Sequence, residues 1–231
     1  MSVRAILLDV EGTTTPADFV TRVLFPYARE RVAAFLERRR EDPGVGDDLA
    51  RLRDERETDA RAGHGPPPWT DGVAYVHWLM DRDRKSTGLK SLQGKIWEEG
   101  YRRGSLVGQV YPDVPRAFQR WRSEGRTIAI FSSGSVLAQR LLFGRTAAGD
   151  LTPFLAAHFD TATGAKGDPE SYGRIATALQ SAPADVLFVS DVTAELDAAR
   201  AAGMRTALCV RGEGRPACGG HPIARTFDEI G

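Results

Sequence analysis

The sequence predicts an α/β fold, a doubly wound parallel sheet with a helical cap inserted after its first strand. Short apolar runs rich in β-branched or aromatic residues recur along the 231-residue chain, and helix-patterned stretches separate most of them. This alternation is typical of βαβ units and a parallel sheet. The stretch between the first and second runs, residues 9–126, is much longer than one crossover needs and is patterned for helices. It therefore predicts a second, helical domain.

Five strands are predicted in the core. Four are clear, and a weaker one surrounds Phe159; the clear ones are Ala5 to Leu8, Thr127 to Phe131, Val186 to Val189 and Thr206 to Val210. Each clear run is short and apolar, as expected for a strand that is covered by helices on both faces. The tail after Val210 is assigned no role.

Three helices are predicted in the inserted stretch. Apolar residues from Val20 to Ala28 recur at helical spacing, although Pro26 should kink or restart that helix. A second helix is predicted from Asp47 to Ala62, and a third around Tyr75 to Asp83. A break rich in Pro and Gly at residues 61–69 separates these two helices.

These elements predict two domains. We expect residues 1–16 and 108–231 to form the α/β core and residues 17–107 to form the helical cap. The chain should rejoin the core near "GQVYPDVPRAF", where Pro112 and Pro115 could open the next core helix.

Composition narrows the class of partner. Lys plus Arg equals Asp plus Glu at 31 each, so no net field favours nucleic acid or an anionic membrane, and we expect a small-molecule partner. No apolar stretch approaches the roughly 18 residues of a membrane span, and the N-terminus lacks a signal-peptide pattern. We therefore expect a cytosolic protein and, given its neutral charge, a monomer. Cys209 and Cys218 show no CxxC spacing and are predicted to be free thiols, the first of them buried.

Polar and charged residues follow the predicted strands. Because ligands of an open α/β sheet bind at the carboxyl ends of its strands, these residues should lie along one edge. The residues are Asp9 and Glu11 after the first strand, Ser132 and Ser133 after the second, Lys166 in the loop after the weak strand, and Ser190 and Asp191 at the end of the strand that begins at Val186.

This set of residue types is suited to phosphoryl transfer. Mg²⁺ commonly binds one or two carboxylates and completes its shell with water and phosphate oxygens, and Asp9 and Asp191 can be those carboxylates. The Asp9 carboxylate can also attack phosphorus to form an aspartyl-phosphate. Glu11 can supply the acid for the leaving oxygen and the base for water. Lys166 and a serine hydroxyl would oppose the charge on the transferring oxygens.

Each of these groups also has a purely structural interpretation. The acids of the first motif could cap backbone amides in a strand-to-helix turn. The segment "SSGS" at 132–135 and Asp191 could cap helices, and capping could coexist with phosphate contact because both use the same amides. Lys166 could be a solvated surface residue. Glu195 could reinforce a metal site through water or favour the N-terminal dipole of a helix.

The order of these groups resembles the haloacid dehalogenase superfamily. Its phosphatases have an Asp-x-Asp motif, a Ser or Thr at the second strand, a lysine, and an acidic motif at the fourth. Here Glu11 replaces the second acid. With that change, the segments "LLDVEGTTTP", "LQGKIWEEGY", "VYPDV", "FSSGS", "LLFG" and "SDVTAE" look very much like the enolase-phosphatases of methionine salvage, also called acireductone synthases. The resemblance is strongest in residues 5–27, 89–145 and 186–196.

The resemblance implies a haloacid dehalogenase-like core and a two-step reaction. In this family 2,3-diketo-5-methylthiopentyl 1-phosphate is enolised and then dephosphorylated to 1,2-dihydroxy-3-keto-5-methylthiopentene. The implied Mg²⁺ ligands are the side chains of Asp9 and Asp191 and the backbone carbonyl of Glu11, and the implied phosphate contacts are Ser132, Ser133 and Lys166.

Other functions stay open at this point. A general phosphomonoesterase or a phosphomutase with a helical cap would share the same site. A metal-free dehalogenase would have no use for Glu11 or Asp191. A phospho-accepting receiver module also places an aspartate, a lysine and a hydroxyl at strand ends. Its aspartyl-phosphate must persist, however, and an adjacent acid-base group at Glu11 and a large cap both argue against that.

Overall fold

The computed structural model describes residues 3–213 and 219–231. The chain forms two compact units: one comprises the chain up to Phe19 and from Val107 onward, and the other is Val20–Leu106. Within the described ranges, no helix is long and apolar enough to cross a membrane. Cys209 is a buried free thiol, as predicted, whereas Cys218 lies outside the described residues.

The first unit is built on a parallel sheet of six strands in the described part of the chain. The strands are β1 (Ala5–Leu8), β2 (Thr127–Phe131), β3 (Leu155–Phe159), β4 (Val186–Ser190), β5 (Arg205–Cys209) and β6 (Ile223–Ala224). Their order across the sheet is β3-β2-β1-β4-β5-β6, and every neighbouring pair is parallel. This order confirms the predicted α/β class with a doubly wound parallel sheet, because the chain moves outward from β1 in both directions.

The observed strands differ from the predicted ones in small ways. β4 runs one residue further than predicted, to Ser190, and β5 is shifted by one residue, to Arg205–Cys209. The weak candidate around Phe159 is a strand, β3. The prediction missed β6, a two-residue edge strand that pairs Ile223 with Leu208 of β5, because so short an element carries no periodic signal.

Between these strands the chain forms helices. They are α1 (Ala17–Phe19), α2 (Phe25–Arg38), α3 (Pro43–Arg61), α4 (Val73–Asp81), α5 (Thr87–Arg102), α6 (Asp113–Ser123), α7 (Val136–Gly144), α8 (Pro169–Ala178) and α9 (Thr193–Ala201). Pro112 occupies the N-cap position of α6, so the predicted opening of this helix is confirmed.

One apolar layer of the first unit packs β1, β2 and β4 against α8 and α9. Its members include Leu7, Phe131, Tyr172, Ile175, Phe188 and Leu196, all of them buried. The Tyr172 ring lies 5.1 Å from that of Phe188 and 5.6 Å from that of Phe131. This packing holds the carboxyl ends of three adjacent strands in fixed register, and the polar residues that follow those strands are positioned by it.

The second unit contains α2 to α5. A π-helical turn, Val20–Leu24, precedes α2, and Pro26 lies in the first turn of that helix, so the predicted restart at this proline is confirmed. Helix α3 begins at Pro43, earlier than the predicted Asp47, because the Asp42 side chain caps it by accepting a hydrogen bond from the Gly44 amide at 2.9 Å.

Candidate active site

The loop after β1 folds tightly around the carbonyl of Val10. The amides of Thr13, Thr14 and Thr15 lie 3.3, 3.0 and 2.9 Å from that oxygen, and the Gly12 amide donates to the Thr15 carbonyl at 2.8 Å. The Thr14 hydroxyl donates within the loop as well, toward the carbonyls of Asp9 and Val10. The three threonines are fully buried, so their first role is to fix the backbone of the loop that carries Asp9.

Gly12 makes room for Asp191 beside this loop. Its φ of +71° lies in the left-handed region that favours glycine, and a Cβ atom there would lie 2.1 Å from Asp191 Oδ2. The Asp191 amide donates to the Thr13 hydroxyl at 3.1 Å. The residue after β4 is therefore joined to the loop after β1, although Asp9 and Asp191 lie far apart in the sequence.

Lys166 connects Asp9 to Glu195. Its Nζ lies 2.5 Å from Asp9 Oδ1 and 2.6 Å from Glu195 Oε2. The side chains of Lys166 and Asp9 are only 9% and 7% exposed, so this is a nearly buried ion pair. The hydroxyl of Tyr172 donates to the Lys166 carbonyl at 2.7 Å and fixes the backbone of the lysine loop. The alternative that Lys166 is a solvated surface residue is therefore wrong.

Burial and charge set the protonation of this group. Burial raises the pKa of Asp9 to about 7, with a further contribution from the charge of Glu195, while Lys166 acts in the opposite direction. For Lys166, burial works to lower the pKa, but the charges of Asp9 and Glu195 outweigh it and the pKa is raised. Lys166 is thus a permanent cation at neutral pH beside the Asp9 carboxyl.

The serines after β2 divide their roles. Ser135 caps α7 by accepting a hydrogen bond from the Ala138 amide at 3.2 Å. Ser132 is buried, its amide donates to the Phe159 carbonyl, and its hydroxyl oxygen accepts from the Gly134 amide at 3.1 Å. A hydroxyl that accepts one bond can still donate another. Ser133 lies next to it and is exposed.

Comparison with known proteins decides the family. A model for haloacid dehalogenase-like hydrolases matches residues 3–203. The protein called enolase-phosphatase E1 in Synechococcus elongatus is 55% identical to this chain, and the match covers 100% of this chain and 98% of the relative. The protein of the same name in Methylococcus capsulatus is 48% identical, and the match covers 99% of this chain and 97% of the relative. The crystal structure of the UTR4 protein of Saccharomyces cerevisiae has a TM-score of 0.82 and 30% identity, with coverage of 99% and 100%. This chain belongs to the enolase-phosphatase family of haloacid dehalogenase-like hydrolases.

Asp191 and Glu11 have clear positions in this enolase-phosphatase. The N-cap position of α9 is Val192, which makes no side-chain capping bond, so the interpretation of Asp191 as a helix cap is wrong. Asp191 is exposed at the end of β4. Glu11 is exposed at the turn of the loop, where its backbone forms an isolated bridge with that of Thr15. These positions are compatible with access from solvent to both carboxylates.

Glu195 has a contact that sequence reasoning missed. Besides the ion pair with Lys166, its Oε2 accepts a hydrogen bond from the Ser190 hydroxyl at 3.0 Å. The residue lies in the first turn of α9, so the helix dipole can act on it, but its specific partner is the lysine. The signal in the sequence was its position one helical turn after Asp191, which does not reveal a partner from another loop.

The donor atoms near Asp9 and Asp191 are hard oxygens. In residues 3–213 and 219–231, no group of three or more His, Cys, Asp or Glu side chains is placed to hold a metal ion. A cation bound here would be coordinated by carboxylate oxygens and would complete its shell from water or substrate, and such oxygens are the ligands that hard divalent cations prefer.

Proposed function

We propose that this enzyme converts 2,3-diketo-5-methylthiopentyl 1-phosphate into 1,2-dihydroxy-3-keto-5-methylthiopentene and phosphate. The substrate is enolised first and dephosphorylated second. The names of the curated relatives support both parts of this activity. The single structural observation that carries the proposal is the buried contact of Lys166 with Asp9, which places a cation beside a carboxyl group at the end of β1.

Mg²⁺ is part of the proposal. The side chains of Asp9 and Asp191 and the backbone carbonyl of Glu11 would hold it, and two carboxylates with a carbonyl are a donor set that Mg²⁺ accepts. The space that Gly12 leaves for the Asp191 carboxylate supports this assignment, because any side chain at position 12 would fill it. When bound, the ion supplies positive charge against the phosphoryl oxygens.

Asp9 is the proposed nucleophile. Lys166 binds Oδ1, so we assign the attack to Oδ2. An Asp9 O–P bond forms as the bond from phosphorus to the substrate oxygen breaks, and Glu11 donates a proton to that leaving oxygen. Glu11 then takes a proton from water as the water oxygen attacks phosphorus. Phosphate leaves and the Asp9 carboxylate is restored, so the protein is unchanged after one cycle.

Lys166, Ser132 and Ser133 are the proposed phosphate contacts. A fixed ammonium group and hydroxyl donors stabilise the charge that spreads over the transferring oxygens. The ion pair with Glu195 keeps the Lys166 side chain in place before the substrate arrives. In the enolisation step a proton leaves the carbon next to a carbonyl. The ammonium group of Lys166 can stabilise the enolate charge that develops.

The division of the chain into a core and a cap belongs to the same proposal. Residues 1–16 and 108–231 would form the catalytic core, and residues 17–107 would act as a cap that excludes water and selects the substrate. We also propose that the enzyme is a cytosolic monomer that acts on this small molecule and on neither nucleic acid nor membranes, as its balanced charge favours.

The proposal is tested by mixing the purified protein with Mg²⁺ and the diketo phosphate. Ultraviolet absorbance follows the enol product while a coupled assay follows phosphate, and Asp9→Asn serves as the inactive control. We expect enol product and phosphate to form together in the wild type only. Release of phosphate from unrelated monoesters, with no enol product from the diketo phosphate, would instead make the protein a general capped phosphatase.

A further inference from the structure

Arg211 lies in the tail after Val210, which was assigned no role from the sequence, and it holds the loop that carries Asp9. Its Nε and Nη2 both donate to the carbonyl of Thr13, at 2.9 and 2.7 Å. The Arg211 side chain is only 8% exposed. A buried guanidinium that donates two hydrogen bonds to one backbone oxygen fixes both the distance and the direction of that oxygen relative to the guanidinium plane.

The guanidinium is itself held from several sides. Its Nη1 donates to Asp113 Oδ2 at 2.6 Å, and the same carboxylate oxygen accepts from the Phe227 amide at 2.6 Å. The aromatic rings of Tyr111 and Phe227 lie 4.3 and 4.5 Å from the guanidinium carbon. We call the group formed by Arg211, Asp113, Tyr111 and Phe227 the clamp.

The clamp acts on a residue that contacts Asp191. The carbonyl of Thr13 accepts hydrogen bonds from Arg211, and the hydroxyl of Thr13 accepts a hydrogen bond from the Asp191 amide at 3.1 Å. The next carbonyl of the loop, that of Thr14, accepts from the Tyr111 amide at 3.0 Å. The loop after β1 is therefore held by Arg211 and Tyr111 and in turn holds the start of the loop after β4.

We infer that Arg211 is a positioning residue that sets the Asp191 carboxylate relative to Asp9 through Thr13. Asp113 fixes the orientation of the guanidinium. The inference rests on the proposed function, in which Asp9 and Asp191 share a divalent cation. It also gives a role to "VYPDV", since this segment supplies both Tyr111 and Asp113.

A clamp that only stabilises the fold can be distinguished from one that positions Asp191. Removal of one partner of a buried ion pair destabilises the fold whatever its role, because the other charge is left uncompensated. A positioning role also requires weaker binding of the cation in a protein that remains folded. Residues that orient metal ligands typically change metal affinity or activity by about 10- to 100-fold when they are replaced.

The test compares three variants with the wild-type protein. Arg211→Lys keeps the charge and loses the paired donation to Thr13. Thr13→Val keeps the shape and loses the hydroxyl that accepts from Asp191. Arg205→Lys is the matched control, because Arg205 lies at the other end of β5 and donates to the Ala184 carbonyl at 3.0 Å. Mg²⁺ binding to the substrate-free protein is measured by calorimetry, and unfolding is followed by circular dichroism.

We expect Arg211→Lys and Thr13→Val each to weaken Mg²⁺ binding by about 10-fold or more, with no change in Arg205→Lys. Arg211 is inferred to act through Thr13, so the two losses should not add. The Mg²⁺ affinity of the double variant should be no lower than that of whichever single variant binds Mg²⁺ more weakly. Under saturating Mg²⁺, kcat should fall with little change in KM.

Several outcomes would overturn the inference. Unchanged Mg²⁺ affinity in a destabilised Arg211→Lys protein would make the clamp structural only. Additive losses of Mg²⁺ affinity in the double variant would show that Arg211 does not act through Thr13. If Arg211→Lys fails to fold, Thr13→Val decides, and unaltered Mg²⁺ binding there is a refutation. A wild-type protein that binds Mg²⁺ without forming enol product would contradict the proposed reaction but not the positioning role. A wild-type protein that binds no Mg²⁺ would remove both.

Discussion

Lys166 Nζ lies 2.5 Å from Asp9 Oδ1, although the two residues are 157 positions apart in the chain. The contact is nearly buried, and Glu195 accepts from the same ammonium group. A lysine held between two carboxylates remains charged at neutral pH and has little freedom to move. A fixed charge beside a reacting group contributes to catalysis because it needs no reorganisation during the reaction.

Replacement of Lys166 by methionine should impair catalysis and also lower stability, because Asp9 and Glu195 would lose the buried cation between them. Lys166→Met keeps a similar length and removes the cation, and we expect kcat to fall by about 10²- to 10³-fold, as for loss of one fixed donor at a reacting oxygen. Steady-state phosphate release measures the effect. Lys85→Met, at an exposed lysine, is the control. Turnover near the wild-type rate in Lys166→Met would contradict the role of the lysine.

Glu11→Gln should separate the two halves of the phosphatase reaction. With an activated aryl phosphate, whose leaving group needs no acid, transfer to the protein should stay fast while attack by water becomes slow. Rapid quenching should then show a burst of aryl alcohol followed by a slow steady state. A variant that shows no burst and unchanged steady-state turnover would exclude Glu11 as the acid-base group.

Gly12→Ala should displace Asp191. The new Cβ would lie 2.1 Å from Asp191 Oδ2. In addition, a residue other than glycine in the left-handed region lowers the stability of the fold by about 1–2 kcal/mol. Gly125→Ala is a close match, because its φ is +76° and a Cβ there has no neighbour within 4 Å. Both should lose stability by thermal denaturation, but only Gly12→Ala should lose Mg²⁺ binding. Equal Mg²⁺ binding by the two variants would contradict the position of Asp191.

The helical unit contains a carboxylate whose charge should stabilise it. Asp59 accepts hydrogen bonds from the Tyr75 hydroxyl at 2.8 Å, from His64 at 2.9 Å and from Arg84 at 2.5 Å. Burial alone would raise the pKa of Asp59, but the bonds from His64 and Tyr75 and the charge of Arg84 outweigh it and lower the pKa below 3.8. A folded-state pKa below the unfolded value means that the carboxylate stabilises the fold above the unfolded pKa and loses this effect as pH falls through the folded pKa.

Asp59→Asn should therefore lower the unfolding temperature at pH 7, by an amount that corresponds to about 1–3 kcal/mol. The difference from wild type should narrow only as pH falls below about 4, where the wild-type carboxylate becomes protonated. Asp81→Asn, at an exposed partner of Arg29, should have little effect at any pH. A constant difference between wild type and Asp59→Asn from pH 7 down to the acid transition would contradict the lowered pKa.

The strands of the core could be predicted because burial on both faces gives them continuous apolar sequences. All four residues of β1 are buried, for example, and its neighbours on either side are β2 and β4. Edge strand β6 could not be predicted, since two residues carry no pattern and its pairing with β5 depends on the rest of the sheet. The start of α3 depended on a local cap at Asp42 that apolar spacing does not report.

The site was predictable at the level of residue types and less so at the level of contacts. Asp9, Lys166 and Asp191 follow strands, and the sheet brings strand ends to one edge. The partners of Glu195 and Arg211 come from different loops, and no spacing in the sequence relates them. Their contacts depend on how the loops fold against one another, which follows from the tertiary structure alone.

The most direct test of the proposed mechanism is to locate the phosphoryl group during turnover. The enzyme is quenched while it converts the diketo phosphate, treated with borohydride, which reduces an acyl phosphate to an alcohol, and digested with trypsin. Mass spectrometry of the peptide 5–22 then identifies the modified residue. The proposed mechanism predicts modification at Asp9 in the wild type and none in Asp9→Asn. Modification at another residue, or product formation by Asp9→Asn, would contradict it.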